Sequence, residues 1–108
     1  MNAITLSAPA RSWFLHEVDC DTMEPTYIRG RDSVLCVPVF GYAGEGIYLI
    51  DCFGLYRCER RGDRIHMWRD NRMYVTQEAS LAEFNAANLA IVAADVRIRN
   101  REIMGAGA

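Results

Sequence analysis

The side chains able to do chemistry fall into three groups along these 108 residues. Four cysteines stand at Cys20, Cys36, Cys52 and Cys58, and no gap between them gives the close pairing of a zinc ribbon or a redox C-x-x-C. Cys36 and Cys52 have apolar, strand-like neighbours (Leu35-Cys36-Val37 and Leu49-Ile50-Asp51-Cys52-Phe53). Reduced, mostly buried thiols are therefore expected, with no metal. Asp19 and Asp21 resemble an acid pair, but aspartates at a loop edge commonly cap turns through local hydrogen bonds. The third group is basic: Arg57, Arg60, Arg61, Arg64, Arg69 and Arg72, a set able to meet phosphate, RNA or an acidic partner. Glu59, Asp63 and Asp70 are interleaved with it, the pattern of a solvated hairpin face. Arg97, Arg99 and Arg101 form a second basic stripe, followed by Glu102.

All 12 basic residues are arginines, so any reaction that needs a lysine amine is excluded. The composition, 51% hydrophobic and 24% charged with net charge −2, is that of a soluble globular protein. It gives no global pull toward nucleic acid or acidic membranes. No stretch approaches the roughly 20 apolar residues that span a bilayer. The N-terminus has no basic run followed by an apolar segment, so no secretory signal is read and a cytoplasmic location is expected. No cofactor is expected either.

The length suits one core and is short for two domains. Residues 1–12, with Pro9 and small side chains, read as an irregular arm, 13–101 as one domain and 102–108 as a flexible tail. Strands are expected over 13–18, 34–37 (ended by Pro38) and 47–50, with a polar, turn-rich stretch over 19–33. Segments 53–58 and 64–68 flank Arg61-Gly62-Asp63 as a hairpin, and Ile65 and Met67 alternate with Arg64, His66 and Trp68. A short helix over 80–88 takes Ser80 as its cap, and a closing strand over 89–98 alternates Val96 and Ile98 with Arg97 and Arg99. The fold class is thus mostly β, short antiparallel strands with hairpins. No helix-turn-helix signature is present. Trp13 and Trp68 read as core or interface anchors rather than stacking platforms.

One ordered set of segments resembles a known family. Val18-Asp19-Cys20-Asp21-Thr22-Met23-Glu24-Pro25-Thr26, followed by Gly30-Arg31-Asp32-Ser33-Val34-Leu35, is similar to the nucleophile segment of the C-terminal, peptidase-like domains of LexA-type and phage-type repressors. There V-x-G-D-S-M-x-P-T precedes a G-D-x-V-L strand. Gly46-Ile47-Tyr48-Leu49 resembles the strand before the family's lysine strand. Asp70-Asn71-Arg72-Met73-Tyr74 resembles its D-N-x-x-Y segment, and Leu89-Ala90-Ile91-Val92 its last strand. The departures are specific. Thr22 stands at the serine position, Cys20 at a glycine, Arg31 splits a Gly-Asp pair, and Arg72 replaces a proline.

The resemblance implies a LexA-like β fold and a serine that attacks the chain's own linker, with a neutral, desolvated lysine taking its proton. The lysine strand aligns with Leu55-Tyr56-Arg57-Cys58-Glu59, placing Tyr56 or, one residue on, Arg57 at the lysine position. Arginine keeps its proton at any workable pH, and a neutral tyrosine is a poor base with a pKa of about 10. His16 and His66 are the other conceivable bases, though histidines isolated on strands are ordinarily packed or solvent-facing. Only 21 residues precede Thr22, with no Ala-Gly pair among them, so neither the linker substrate nor a DNA-binding half is expected.

The expectation is therefore a pseudo-peptidase with no intact catalytic residue, its family-equivalent positions being Thr22, Tyr56 and Arg57. It would serve as an interaction or dimerisation module in transcription regulation, of phage or mobile-element origin. The partners expected are a second copy of the chain, through an edge at Val92, Val96, Arg97, Ile98 and Arg99, or a full-length repressor. Direct contact with nucleic acid and association with membrane are not expected. A peptidase using Thr22 with an unrecognised base is the alternative, and a nucleic-acid binder acting through the hairpin over 57–72 is the second.

Overall fold

The structure is a computed structural model and describes residues 12–52 and 54–97. The expected arm falls almost wholly outside the described residues, as do the tail, Ile98 and Arg99. The fold is mostly β. The elements are β1 (Phe14–Glu17), β2 (Asp32–Val39), β3 (Gly46–Ile50), β4 (Gly54–Arg61), β5 (Arg64–Trp68), β6 (Gln77–Ser80), α1 (Leu81–Ala86) and β7 (Leu89–Arg97). Among the described residues they make one antiparallel sheet in the order β1-β2-β7-β3-β4-β5-β6.

Apolar side chains leave the sheet on both faces, and each face has its own cover. On one face Ile47, Leu49, Leu55, Val34, Cys36 and Ala90 are buried with Val18, Met23 and Tyr27 of the segment between β1 and β2. On the other, Tyr48, Cys58, Ile65 and Met67 pack with Phe84 of α1 and with Leu89. Tyr42 stacks 6.0 Å from Tyr48, and Phe84 meets Tyr48 edge-on at 5.2 Å. β3 therefore needs an apolar residue at every position, which explains its unbroken Ile-Tyr-Leu-Ile run.

Local chemistry sets the connections. Arg61 and Arg64 close the β4–β5 hairpin across Gly62 and Asp63, and of these two only Gly62 has a positive φ, +65°. That is the pattern of a II′ turn, whose first central position takes glycine. Ser80 accepts from the Glu83 N–H (3.1 Å) while Glu83 Oε1 accepts from the Ser80 N–H (3.0 Å), a complete capping box on α1. The helix start is fastened to the hairpin by the Leu81 N–H, which donates to the Asp63 carbonyl (2.8 Å). Asn85 Oδ1 accepts from the Tyr42 N–H at 2.8 Å, an approach that needs glycine at 41, where a Cβ would stand 2.9 Å from that oxygen.

Three features were not specified by the residue patterns. β7 does not border the sheet: it pairs with β2 along its length and with β3 at Leu89, Ala90 and Ile91. Only from Val92 onward is one of its backbone edges without a neighbouring strand among the described residues. Trp13 is 59% exposed, so of core and interface anchor only the core reading is excluded. β6 had no apolar alternation to reveal it; its Glu78 instead pairs across the ladder with His66 (2.9 Å) and Arg64 (2.9 Å). No helix among the described residues is long and apolar enough to cross a membrane.

Candidate functional site

Segment 18–31 is a loop held at both ends and nailed at its centre. The Val18 N–H donates to the Asp32 carbonyl (3.0 Å) and the Gly30 N–H to the Val18 carbonyl (3.1 Å), which brings the two ends together. Met23 is fully buried in the core beneath, and the Tyr27 N–H closes a turn onto the Met23 carbonyl (3.0 Å). The Tyr27 hydroxyl donates to Asp95 Oδ1 on β7 (2.8 Å); burial, then that carboxylate, raise its pKa well above the usual tyrosine range. The Glu24–Pro25 peptide is cis. With Met23 pointing inward, Cys20, Asp21, Thr22 and Thr26 are left half-buried at the surface.

This surface is sewn to the segment that follows β5. The Asn71 N–H donates to the Thr22 carbonyl (3.0 Å), and Asn71 Nδ2 to the Asp21 carbonyl (2.9 Å). The Tyr74 hydroxyl donates to Asp21 Oδ1 (2.6 Å), which raises its pKa, and the Thr26 hydroxyl donates to Asp70 Oδ2. Asp70 in turn takes both arms of Arg57, Nε at 2.7 Å and Nη2 at 2.9 Å. The guanidinium, seconded by Thr26, holds this carboxyl below the usual aspartate range, and the carboxylate raises the pKa of Arg57. On the neighbouring position of β4, the Tyr56 hydroxyl accepts from Arg69 Nη2 (2.5 Å), whose guanidinium carbon lies 4.2 Å from the Tyr56 ring centre and 5.5 Å from that of Tyr74.

The structure thus brings together segments 18–26, 55–58 and 70–74, which are far apart in the chain. Thr22 shares no side-chain hydrogen bond with Tyr56 or Arg57. Among the described residues its hydroxyl has one side-chain partner, the Cys20 thiol at 3.3 Å. A thiol beside a hydroxyl supplies no strong proton acceptor, and the groups at the two aligned positions are engaged elsewhere. His66 Nε2 faces Glu78, and His16 sits on β1 opposite Val34. Asp21 does more than cap a turn, since its carboxylate receives a residue 53 positions away. Asn71 and Tyr74 are the members of this site that residue chemistry alone did not single out. Their signal was the segment from Asp70 to Tyr74 in the family resemblance.

Beside the network lies an open groove of about 890 Å³, lined by Thr26, Trp68, Arg61, Arg69, Arg72 and Tyr74 together with their neighbours. Trp68, expected as an anchor, is half-buried and contributes to this lining. Arg61 is paired with Glu59 (3.1 Å), both on β4. Arg69 Nε is buried and has no hydrogen-bond partner among the described residues.

Elsewhere, Cys36 and Cys58 are buried and free, Cys20 is half-buried and Cys52 is exposed. Among the described residues no cluster of three His, Cys, Asp or Glu side chains could hold a metal. Of the anticipated contact residues, Val92 packs toward the core under segment 18–31, and Val96 is exposed in the stretch of β7 with an open edge. No model of a known protein family matches the chain, and no curated protein sequence matches it.

Proposed function

We propose that the chain is a non-catalytic relative of the LexA-type and phage-type repressor peptidase domain, serving as an interaction or dimerisation module in transcription regulation in the cytoplasm. The ordered sequence resemblance supports the family reading. The meeting of its nucleophile-like and D-N-x-x-Y-like segments around Asp21, Thr22 and Asn71 is compatible with it.

One observation carries the non-catalytic part. Where the family places a lysine amine against the nucleophile, the candidate residues are locked into other bonds, Arg57 with Asp70 and Tyr56 with Arg69. A serine or threonine hydroxyl becomes a competent nucleophile only when a base takes its proton. Arg57 has no lone pair to offer, and the hydroxyl of Tyr56 is already accepting from a guanidinium. Such a surface acts by what it touches: a second copy of the chain, or a full-length repressor that it modulates.

The test is intact mass after days at alkaline pH, a condition in which a lysine-type base would be uncharged. The natural chain and Thr22→Ala should both stay whole. Fragments that form only when Thr22 is present would replace this reading with a threonine peptidase.

A further inference from the structure

The groove beside the loop has a lining that the stabilising network does not use up. Arg57 and Asp70 neutralise each other, and Arg61 is paired with Glu59. Arg64 and His66 share Glu78. Of the arginines that line the groove, Arg69 and Arg72 have no carboxylate partner among the described residues. Arg72 is exposed, and the Nε of Arg69 is a buried donor without an acceptor. A buried guanidinium N–H left in that state is uncommon in folded proteins. Beside Arg69 and Arg72 the rings of Trp68 and Tyr74 also line the groove. Apolar rings beside unpaired cations mark a surface that gains from being covered.

From this we infer that the groove binds an extended acidic peptide segment of a partner protein. Its carboxylates would meet Arg72 and Arg69, and an apolar side chain would lie against Trp68 and Tyr74. The inference rests on the interaction-module reading and names the chemistry of the partner. A nucleic-acid strand fits less well. Its phosphates recur along the whole backbone and favour an unbroken basic track, whereas here Glu59 stands on the same strand as Arg61, and Glu78, on the neighbouring strand, is paired with Arg64. A few isolated carboxylates need only the two unpaired cations.

The experiment titrates the full chain into a fluorescein-labelled dodecapeptide of four Glu-Glu-Leu repeats, followed by anisotropy. Parallel titrations use the same peptide with lysine for glutamate, and a twelve-residue oligothymidylate. The glutamate peptide should bind below about 1 mM. Binding should weaken about tenfold or more in Arg72→Glu, and in about 0.5 M salt. Arg29→Glu, an exposed charge on segment 18–31 outside the groove, should leave it unchanged, and circular dichroism verifies that both variants fold. Absence of binding by the glutamate peptide, binding indifferent to Arg72→Glu, or Arg72-dependent binding of the oligothymidylate in its place would each overturn the inference. Masses of chain and peptide are read at the end of each titration. Cleavage of either defeats the non-catalytic reading while leaving the groove assignment standing, so the two failures are told apart.

Discussion

Arg57 and Asp70 face each other fork to fork, with Nε 2.7 Å from Oδ1 and Nη2 2.9 Å from Oδ2. The pair joins the middle of β4 to the first residues after the hairpin, and through Thr26 it also fastens the loop that carries Thr22. A guanidinium matches a carboxylate in this two-point geometry and a lysine ammonium does not. Arginine at 57 thus builds a strut at one of the two positions where the family resemblance would have put a base.

The strut has a measurable acid signature. Hydrogen bonding from Arg57 lowers the pKa of Asp70 in the folded chain. A depressed folded-state value means that the carboxylate contributes stability above its unfolded pKa of about 3.9, and loses it as pH falls through the lower folded value. Asp70→Asn should be less stable than the natural chain at pH 7 by about 1 kcal/mol, a modest figure because the Arg57 guanidinium is partly open to water and screened. The gap should begin to close below about pH 4 and vanish further into acid. Urea midpoints of both proteins across that range measure it. A gap that stays constant down to pH 2 would mean that the lost stability comes from packing and not from charge.

The cysteines give a second prediction. Burial pushes the thiols of Cys36 and Cys58 up to about 11 and about 12. At pH 8 a thiol with a pKa of 11 is thiolate to roughly one part in a thousand, and the thiolate is the reacting form. Brief treatment with iodoacetamide under native conditions should therefore label Cys52 first, because it is exposed, and Cys20 next. Cys36 and Cys58 should be labelled only after unfolding. Peptide mass mapping reads the order. Early labelling of Cys58 would mean that the face packed under α1 opens easily.

Much of this architecture could be read from residue patterns, for identifiable reasons. Gly62 between two strand-like segments specified a tight turn, and Ser80 specified a helix start, because both signals act within a few residues. The unbroken apolar run of β3 announced burial without saying that two separate covers were needed. β6 escaped notice because Gln77-Glu78-Ala79-Ser80 has no apolar alternation and gains its place from ion pairs with β5. The interior position of β7 also escaped notice, since strand order depends on which distant edges meet. At the site, Thr22 and the strand holding Tyr56 and Arg57 were singled out through the family resemblance. The bond from Tyr74 to Asp21 and the strut between Arg57 and Asp70 were not, because each depends on contacts that only the folded chain creates.

Self-association through β7 is the last prediction, and the structure narrows where it can occur. On the stretch following Ile91 the strand is paired on one side by β2 and has no strand on the other among the described residues. Unpaired backbone edges favour the addition of another strand. The same region carries apolar side chains on one face of the sheet. Leu15 lies opposite Leu35 across β1 and β2, Leu35 lies opposite Ala94 of β7, and Val96 follows two residues along; Leu15 and Val96 are both exposed. A two-fold pairing of these edges would satisfy the free backbone groups and cover Val96 at once, as a self-complementary interface requires. Light scattering should then report twice the chain mass at micromolar concentration. Val96→Asp, a substitution at an exposed position, should return the monomer by placing two carboxylates close to the axis. A chain that is monomeric before and after that change would remove the homodimer and leave a heterologous partner as the only occupant of this edge.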